Sequence, residues 1–574
     1  MKKNDFITVA VLVVLMFGWM HFYPKIEQKF FPKPPVEKQT APLAAEPESS
    51  GAQEPAISAA PAAVQEAAAA VTEPVVKLPS APEQRVVLSN DVVELTVSSY
   101  GGAVVSATLN NYPAENHKNS GPVVLDFEAA PALRYDGIPV TAGSLAKTDD
   151  GLVFTAPIGN GQLFTRTFKL DQDYLLEVKD VFANGTEQPW ALPELRLPTG
   201  PMSNPAGTSS MRGISTLGID TYSTPEGVDH WGRQLMKLFR DAPAGTNLLT
   251  STPAMVPSSP VNWIASKNKF FVQILTPENG ADAFDLSLRR EGEGKRAMPV
   301  EVSSALQFDP EIIAANDTFS RTVRTYIGPK DFSFLKTQGM DQVEVMEFKS
   351  TGLWSFMNPV MFPIKKALLW GLTALYAVVR NYGVAIMLLT IIVRVIFWPI
   401  THKGTESMRR MQALQPQLKE IREKYKNNPQ RMQQETMAFY KENKVNPMGG
   451  CLPMFIQIPV FIALYTVLRS AIELRFSKFL WISDLSEPEN LFAGMVPIVG
   501  SLNILPLLMA GTMMLQQKFT PTAGDPQQQK MMAVMMPIMM LFFFYSMPSG
   551  LVLYWTTSNL LMIVQMLIKK KKQA

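Results

Sequence analysis

Apolar positions along this chain follow three periods, and each predicts a different kind of element. Predominantly apolar runs occupy 6–23 and then 382–400, 452–470, 492–515, 531–546 and 550–568. At about 1.5 Å per residue such runs approach or exceed the roughly 30 Å of a bilayer core, predicting six membrane-spanning helices. From 85 to 348 the period is two: "VVLSNDVVELTVSSYGG", "QLFTRTFKLDQDYLLEVKDVF", "NKFFVQIL" and "FSRTVRTYIG" alternate between Asn, Asp and Gly turns. Such alternation predicts one large antiparallel β-sandwich. Between 401 and 450 the period is three and four. Met408, Met411, Leu414, Leu418, Ile421 and Tyr425 form a stripe, "NNPQ" interrupts it, and Met432, Thr436, Phe439 and Tyr440 resume it. This predicts a helical hairpin, with Asn428 as N-cap and Pro429 opening the second helix.

Two segments fit none of these periods. Residues 32–84 are dominated by Pro, Ala and Glu, as in "AAPAAVQEAAAAVTEP". They hold too few large apolar groups to build a core and predict a disordered tether. Residues 357–380, around "PIKKALLWGLTALYAVVRN", leave only 13 residues between Lys366 and Arg380. That mixed polarity predicts a helix lying in the membrane interface rather than crossing it.

Charge orders these elements across the membrane. The first run follows "MKKND", so residues 1–5 should stay in the cytoplasm with Lys2 and Lys3. No small-residue cleavage site precedes "PKIEQKFFPK", which favours an uncleaved anchor over a cleaved signal. The hairpin region 401–450 carries ten Lys and Arg, and the tail 569–574 holds Lys569 to Lys572. Six spans keep both regions and the 516–530 loop inside, with the β-domain and the 471–491 loop outside.

Composition removes several classes of function. A net charge of +3 over 574 residues does not argue for nucleic acid. One cysteine, Cys451, permits no intramolecular disulfide, and four scattered histidines have no metal-ligand spacing. No phosphate-binding glycine motif is present, so neither a cofactor nor a metal is expected. No nucleophile–base pair marks the β-domain; a scaffold or docking role is favoured there over an enzyme or sugar-binding site.

The informative residues are polar ones inside apolar runs. Arg394 stands in "VAIMLLTIIVRVIFWPI" one turn from Thr390, Gln457 in "CLPMFIQIPVFIALY", and Tyr554, Trp555, Ser558 and Asn559 in "GLVLYWTTSNLLMIVQ". An arginine at a helix centre costs about 3 kcal/mol on insertion scales. None of the five runs after the β-domain contains Asp or Glu. Either Arg394 snorkels toward the inner surface, or it sits in a wet, cytoplasm-facing cavity where it receives a transient anion. The hairpin leaves a similar choice. Its methionines could pack its own seam, or could offer an adaptable surface to apolar segments together with Arg409, Arg410, Lys424, Lys426 and Arg431.

"LLTIIVRVIFWPIT", "KVNPMGGCLPMFIQIPVFIALY", "LWISDLS", "PSGLVLYW" and "SNL" follow one another as in the YidC membrane-protein insertase family, which this chain resembles from about 353 to its end. The resemblance implies a five-helix core around a hydrophilic groove, with Arg394, Thr390 and Gln457 at groove positions and the hairpin as a mobile cytoplasmic lid. Two adjacent tyrosines are frequent in the last span of that family; here they read Tyr554–Trp555, which puts any role needing a second hydroxyl in doubt. The β-domain would be a mutarotase-like β-supersandwich. Implied partners are nascent membrane proteins, the Sec translocon with its accessory subunits, the ribosome, the signal-recognition-particle receptor and membrane lipids, and a functional monomer is compatible with all of them. The rival readings are an anion transporter using Arg394 as its substrate site, and a β-domain merely anchored by a helical bundle.

Overall fold

The computed structural model describes residues 81–574 apart from 140, 160, 206–207, 209–215, 242–248, 292–297, 350–355, 444, 446–451, 497–499, 520–525 and 574. The expected anchor at 6–23 and all but the end of the expected tether at 32–84 lie outside the described residues.

The strands between Arg85 and Pro329 pair antiparallel throughout. The largest has nine strands, in the order Gly227–His230, Gly218–Ser223, Val261–Lys267, Phe271–Pro277, Thr318–Pro329, Leu175–Asn184, Gln162–Leu170, Gly151–Gly159 and Ser144–Thr148. A four-stranded sheet, Arg85–Ser89 to Pro122–Asp126, and a five-stranded one built on Ala283–Glu291 and Met298–Phe308 complete the layers. Alternation is the cause: on Val93–Ser98, Val93, Leu95 and Val97 point into the core, and on Gly151–Gly159, Leu152, Phe154 and Ala156 do so. Arg166 and Asp180 face each other directly across two strands, both wholly buried. Their two-pronged bond, at 2.6 and 2.8 Å, leaves one guanidinium nitrogen for the carbonyls of Gly102, at 3.0 Å, and Leu133.

Eight helices of the second half are labelled in chain order: α1 Asn358–Val379, α2 Tyr382–Ala413, α3 Gln415–Lys424, α4 Pro429–Glu442, α5 Leu452–Ser470, α6 Ile504–Phe519, α7 Pro526–Phe544 and α8 Ser549–Gln573. Among the described residues, α1, α2 and the Ser549–Ile568 part of α8 are long and apolar enough to cross a membrane; Gln457–Arg469 and Ala533–Phe544 are shorter apolar helices. One core joins Leu389 of α2, Leu464 of α5, Met509 of α6, Phe544 of α7 and Leu551 of α8. The β-domain seats on this bundle: Leu369 of α1 and Val467 of α5 are buried with Trp263, Ile274, Tyr326 and Phe348.

Three sequence expectations change. Residues 492–515 do not form one helix, because Leu491–Val496 pairs antiparallel with Gly500–Leu502 and α6 begins only at Ile504. Gly494, Pro497 and Gly500 disfavour helix there, while hydropathy alone registers only that the stretch is apolar. The span at 382–400 and the first hairpin arm are one continuous helix, α2; the arm breaks at Leu414, where Pro416 occupies the first turn of α3. Finally, α1 fills the expected 357–380 helix almost completely, but at 22 residues it is long and apolar enough to cross a membrane, which the 13 residues between Lys366 and Arg380 did not suggest.

Candidate functional site

The site is built on α2 and α8. Asn381 caps α2 by accepting the Val384 N–H at 3.1 Å, and the helix then runs uninterrupted past Arg394. Arg394 turns sideways onto α8: Nε donates to Ser558 Oγ at 2.9 Å, and Nη2 donates to the same oxygen at 2.6 Å and to the Ser558 carbonyl at 3.2 Å. Ser558 is only 4 % exposed. No carboxylate among the described residues pairs with Arg394. A hydroxyl and a carbonyl solvate the cation without neutralising it. These bonds hold it against the neighbouring helix, which disfavours the snorkelling alternative.

The other sequence-selected residues divide into two groups. Gln457 of α5 donates its amide to the Tyr554 hydroxyl, and Tyr554 lies one turn before Ser558 on α8. Asn559 donates to Thr512 Oγ1 of α6 at 3.4 Å. These contacts gather polar groups of α2, α5, α6 and α8 between the helices. Thr390, by contrast, is fully buried and returns its hydroxyl to the Ile386 carbonyl of its own helix at 2.6 Å, so it serves α2 itself. Trp555 stands edge-on to Phe461 at 5.2 Å between centroids and lies 5.2 Å from Phe544. It belongs to an aromatic cluster rather than to the Arg394 network. The partner roles of Ser558 and Thr512 were missed in the sequence: helical spacing gives the face of each helix but not which neighbour it meets.

In the hairpin region, Met411 and Leu418 are buried, Met408 and Met432 half-buried. Of the stripe, Met411 is withdrawn from solvent while Met408 and Met432 remain partly open. Asn428 accepts the Arg431 N–H at 3.1 Å and caps α4 as its spacing predicts. Arg410 pairs with Glu406 of the preceding turn at 2.6 Å, and Arg409 is half-buried. Lys424, Lys426 and Arg431 are exposed, and the Tyr425 ring lies 5.6 Å from the Lys424 amine and 5.5 Å from the Arg431 guanidinium. This end of the hairpin is cationic.

The β-domain holds the other concentration of buried charge. Lys267 pairs with Asp220 at 2.6 Å and Glu347 at 2.9 Å, and His230 shares Asp220 at 2.8 Å. Burial pushes the nearby Lys330 amine down to about 7, with the Lys267 cation adding to the shift. Burial works against the charged form of His230 as well, but the Asp220 carboxylate outweighs it and holds the imidazole above its ordinary value. No group of three or more metal-ligating side chains occurs among the described residues.

An apolar helical bundle that gathers polar groups around an arginine with no carboxylate partner among the described residues, joined to a large antiparallel β-sandwich, defines a polytopic membrane protein with a substantial extramembrane domain. Residues 374–574 match the family model described as 60Kd inner membrane protein, and residues 140–363 match that of the YidC periplasmic domain. The membrane protein insertase YidC of Pelobacter propionicus is 34% identical over 506 residues, 84% of this chain and 86% of that protein. The chain belongs to the YidC family of membrane protein insertases. Among solved structures it is similar to an active YidC insertase with its first transmembrane domain resolved (19% identity, 86% of this chain and 94% of that one, TM-score 0.34). It is also similar to a galactose mutarotase-like protein from Lactobacillus casei (8% identity, 42% and 100%, TM-score 0.26).

Proposed function

We propose that this protein is an inner-membrane insertase that passes short hydrophilic tails of nascent membrane proteins across an intramembrane polar site and releases their apolar segments into lipid. The observation carrying this reading is Arg394, held by neutral oxygens of Ser558 and free of any carboxylate among the described residues. Such a cation attracts acidic groups of an entering tail, and the surrounding hydroxyl and amide groups replace part of the tail's hydration. The adjoining apolar segment then partitions into lipid, driven by burial at roughly 25 cal/mol per Å². No bond is made or broken. The related insertases lend the anion-transport alternative no support.

In this reading, six spans place both termini and the α3–α4 hairpin in the cytoplasm and the β-domain outside. Helix α1 lies in the outer interface: Lys365 near its start donates to the Phe348 carbonyl at 2.8 Å, and Asn381 just past its end donates to the Lys478 carbonyl at 3.3 Å. Both ends are thus tied to outer elements, which disfavours a crossing. The cationic hairpin receives the client beside the ribosome, the signal-recognition-particle receptor or the Sec translocon. The decisive experiment is site-specific photocrosslinking from positions 390, 394, 457 and 555, and from the exposed Val395 as a control, to a stalled nascent chain. Adducts at 394 and 457 are expected. Adducts only from lipid-facing positions such as Val395 would refute passage through the polar site.

A further inference from the structure

The stretch "LWISDLS" and its flanking residues, 479–489, have no assigned role, yet the outer ends of the site helices meet there. The Ser549 N–H and hydroxyl, at the start of α8, donate to the Glu487 carbonyl at 2.9 and 2.7 Å, and the Gly550 N–H donates to the Leu485 carbonyl at 2.9 Å. At the start of α6, both oxygens of the Glu489 carboxylate accept the Leu505 N–H at 3.0 Å. That places a negative charge at the positive end of the helix dipole. Glu489 also accepts Trp481 Nε1–H at 2.8 Å. At the start of α2, Phe479 packs so closely on Gly383 that a Cβ there would lie 2.1 Å from its ring. The end of α7 joins through Asn503, which donates to the Tyr545 carbonyl at 2.6 Å and accepts the Asn490 N–H at 2.7 Å.

The segment is also internally braced, and from Asp484 to Glu489 it is largely withdrawn from solvent, whereas Leu480, Trp481 and Ser483 are exposed. Asp484 accepts the Ser486 N–H and hydroxyl at 2.8 and 2.7 Å, and Ile482, Leu485, Ser486, Glu487 and Glu489 are all buried. The β-domain grips it from outside. Lys269 donates to the Ser486 carbonyl at 2.8 Å and pairs with Glu487, and Asn116 donates to the Ser483 carbonyl at 2.7 Å.

We propose that residues 479–489 form a collar that sets the relative placement of α2, α6 and α8, with Glu489 its principal positioning side chain and the β-domain a passenger clamped onto it. Leverage makes the placement matter. Ser558 lies nine residues beyond Ser549, about 14 Å along α8. A tilt of about 10° at the collar moves it by roughly 2.5 Å, more than a hydrogen bond to Arg394 tolerates. The activity consequence rests on the insertion reading above; the placement itself does not.

The test uses the full-length protein in proteoliposomes, with Cys451→Ser and spin labels on the exposed positions Leu508 of α6 and Leu560 of α8. Glu489→Ala should broaden the distance distribution between the labels and lower the initial rate of insertion of an acidic-tailed two-span client about fivefold or more. Glu489→Gln, which keeps an acceptor for Leu505, should restore most of both. Asn116→Ala, which removes only the β-domain's bond to the Ser483 carbonyl, should leave both within twofold of wild type. If Glu489→Ala cannot be recovered folded, Ser549→Ala, which removes one bond to the Glu487 carbonyl, should give a smaller broadening in the same sense. An unchanged distance distribution in Glu489→Ala overturns the collar, and so does an Asn116→Ala defect as large as that of Glu489→Ala. A broadened distribution with unimpaired insertion upholds the collar and counts against the Arg394 reading instead.

Discussion

Replacing Ser558 with aspartate gives Arg394 the partner it lacks. Ser558 Oγ stands 2.6 and 2.9 Å from two guanidinium nitrogens, so a carboxylate on the same Cβ lies within about 4 Å of the charge. At that separation a unit pair is worth about 4 kcal/mol with an effective dielectric of 20. An acidic client tail must then displace a resident counter-ion, and 4 kcal/mol corresponds to roughly a thousandfold weaker attraction at the site. Desolvation of the new carboxylate reduces that figure, and a loss of ten- to a hundredfold remains a conservative expectation. The assay is protease protection of the translocated tail of a short two-span client in proteoliposomes, comparing acidic and uncharged tails. Ser558→Asp should block the acidic tail far more than the uncharged one while raising the thermal stability of the detergent-solubilised protein. Ser558→Asn, isosteric and neutral, controls for shape. Wild-type insertion of the acidic tail by a folded Ser558→Asp protein would refute the idea that Arg394 acts as an uncompensated cation.

Three further outcomes follow from the same structure. Arg394→Ala should impair clients with acidic translocated tails, and Arg394→Lys should be better tolerated because charge survives although the forked contact to Ser558 does not; equal, full activity of both in the protease-protection assay would remove the charge from the mechanism. Asp180→Ala strands the fully buried Arg166 and should destabilise the β-domain by about 3–5 kcal/mol, read as a lowered fluorescence melting transition in the full-length protein. Lys330→Met should stabilise the same transition in a pH-dependent way. The Lys330 amine titrates near 7 when folded and near 10.5 when exposed, so between those values the unfolded chain binds the extra proton and wild-type stability rises with pH. Relative to wild type, the variant should gain most below pH 7, by up to about 5 kcal/mol, and the gain should vanish toward pH 10.5. A pH-independent difference would contradict it.

Which of these features were legible in the sequence follows from how each is stabilised. Arg394 stood out because a cation among apolar residues carries a penalty that no neighbour in the same run could offset. The β-strands stood out because half-burial imposes strict alternation, and Asn428 because an N-cap followed by proline is a local signal. What stayed hidden depends on azimuth and on backbone groups. Spacing placed Ser558 on a face with Tyr554, yet whether that face turned toward α2, α6 or lipid is set by helix packing across more than 160 residues of chain. The strand pair Leu491–Val496 and Gly500–Leu502 was hidden for another reason: hydropathy measures partition, and an apolar strand partitions like an apolar helix, so only Gly494, Pro497 and Gly500 argued against one continuous span. The collar is the extreme case. Its contacts to α8 are carbonyls of Leu485 and Glu487, atoms that every residue possesses, so substituting most side chains at those positions would leave the bonds intact. Only where the collar uses a side chain, as at Glu489, does its role depend on residue identity. For that reason Glu489, rather than the backbone contacts to α8, is where mutation can interrogate it.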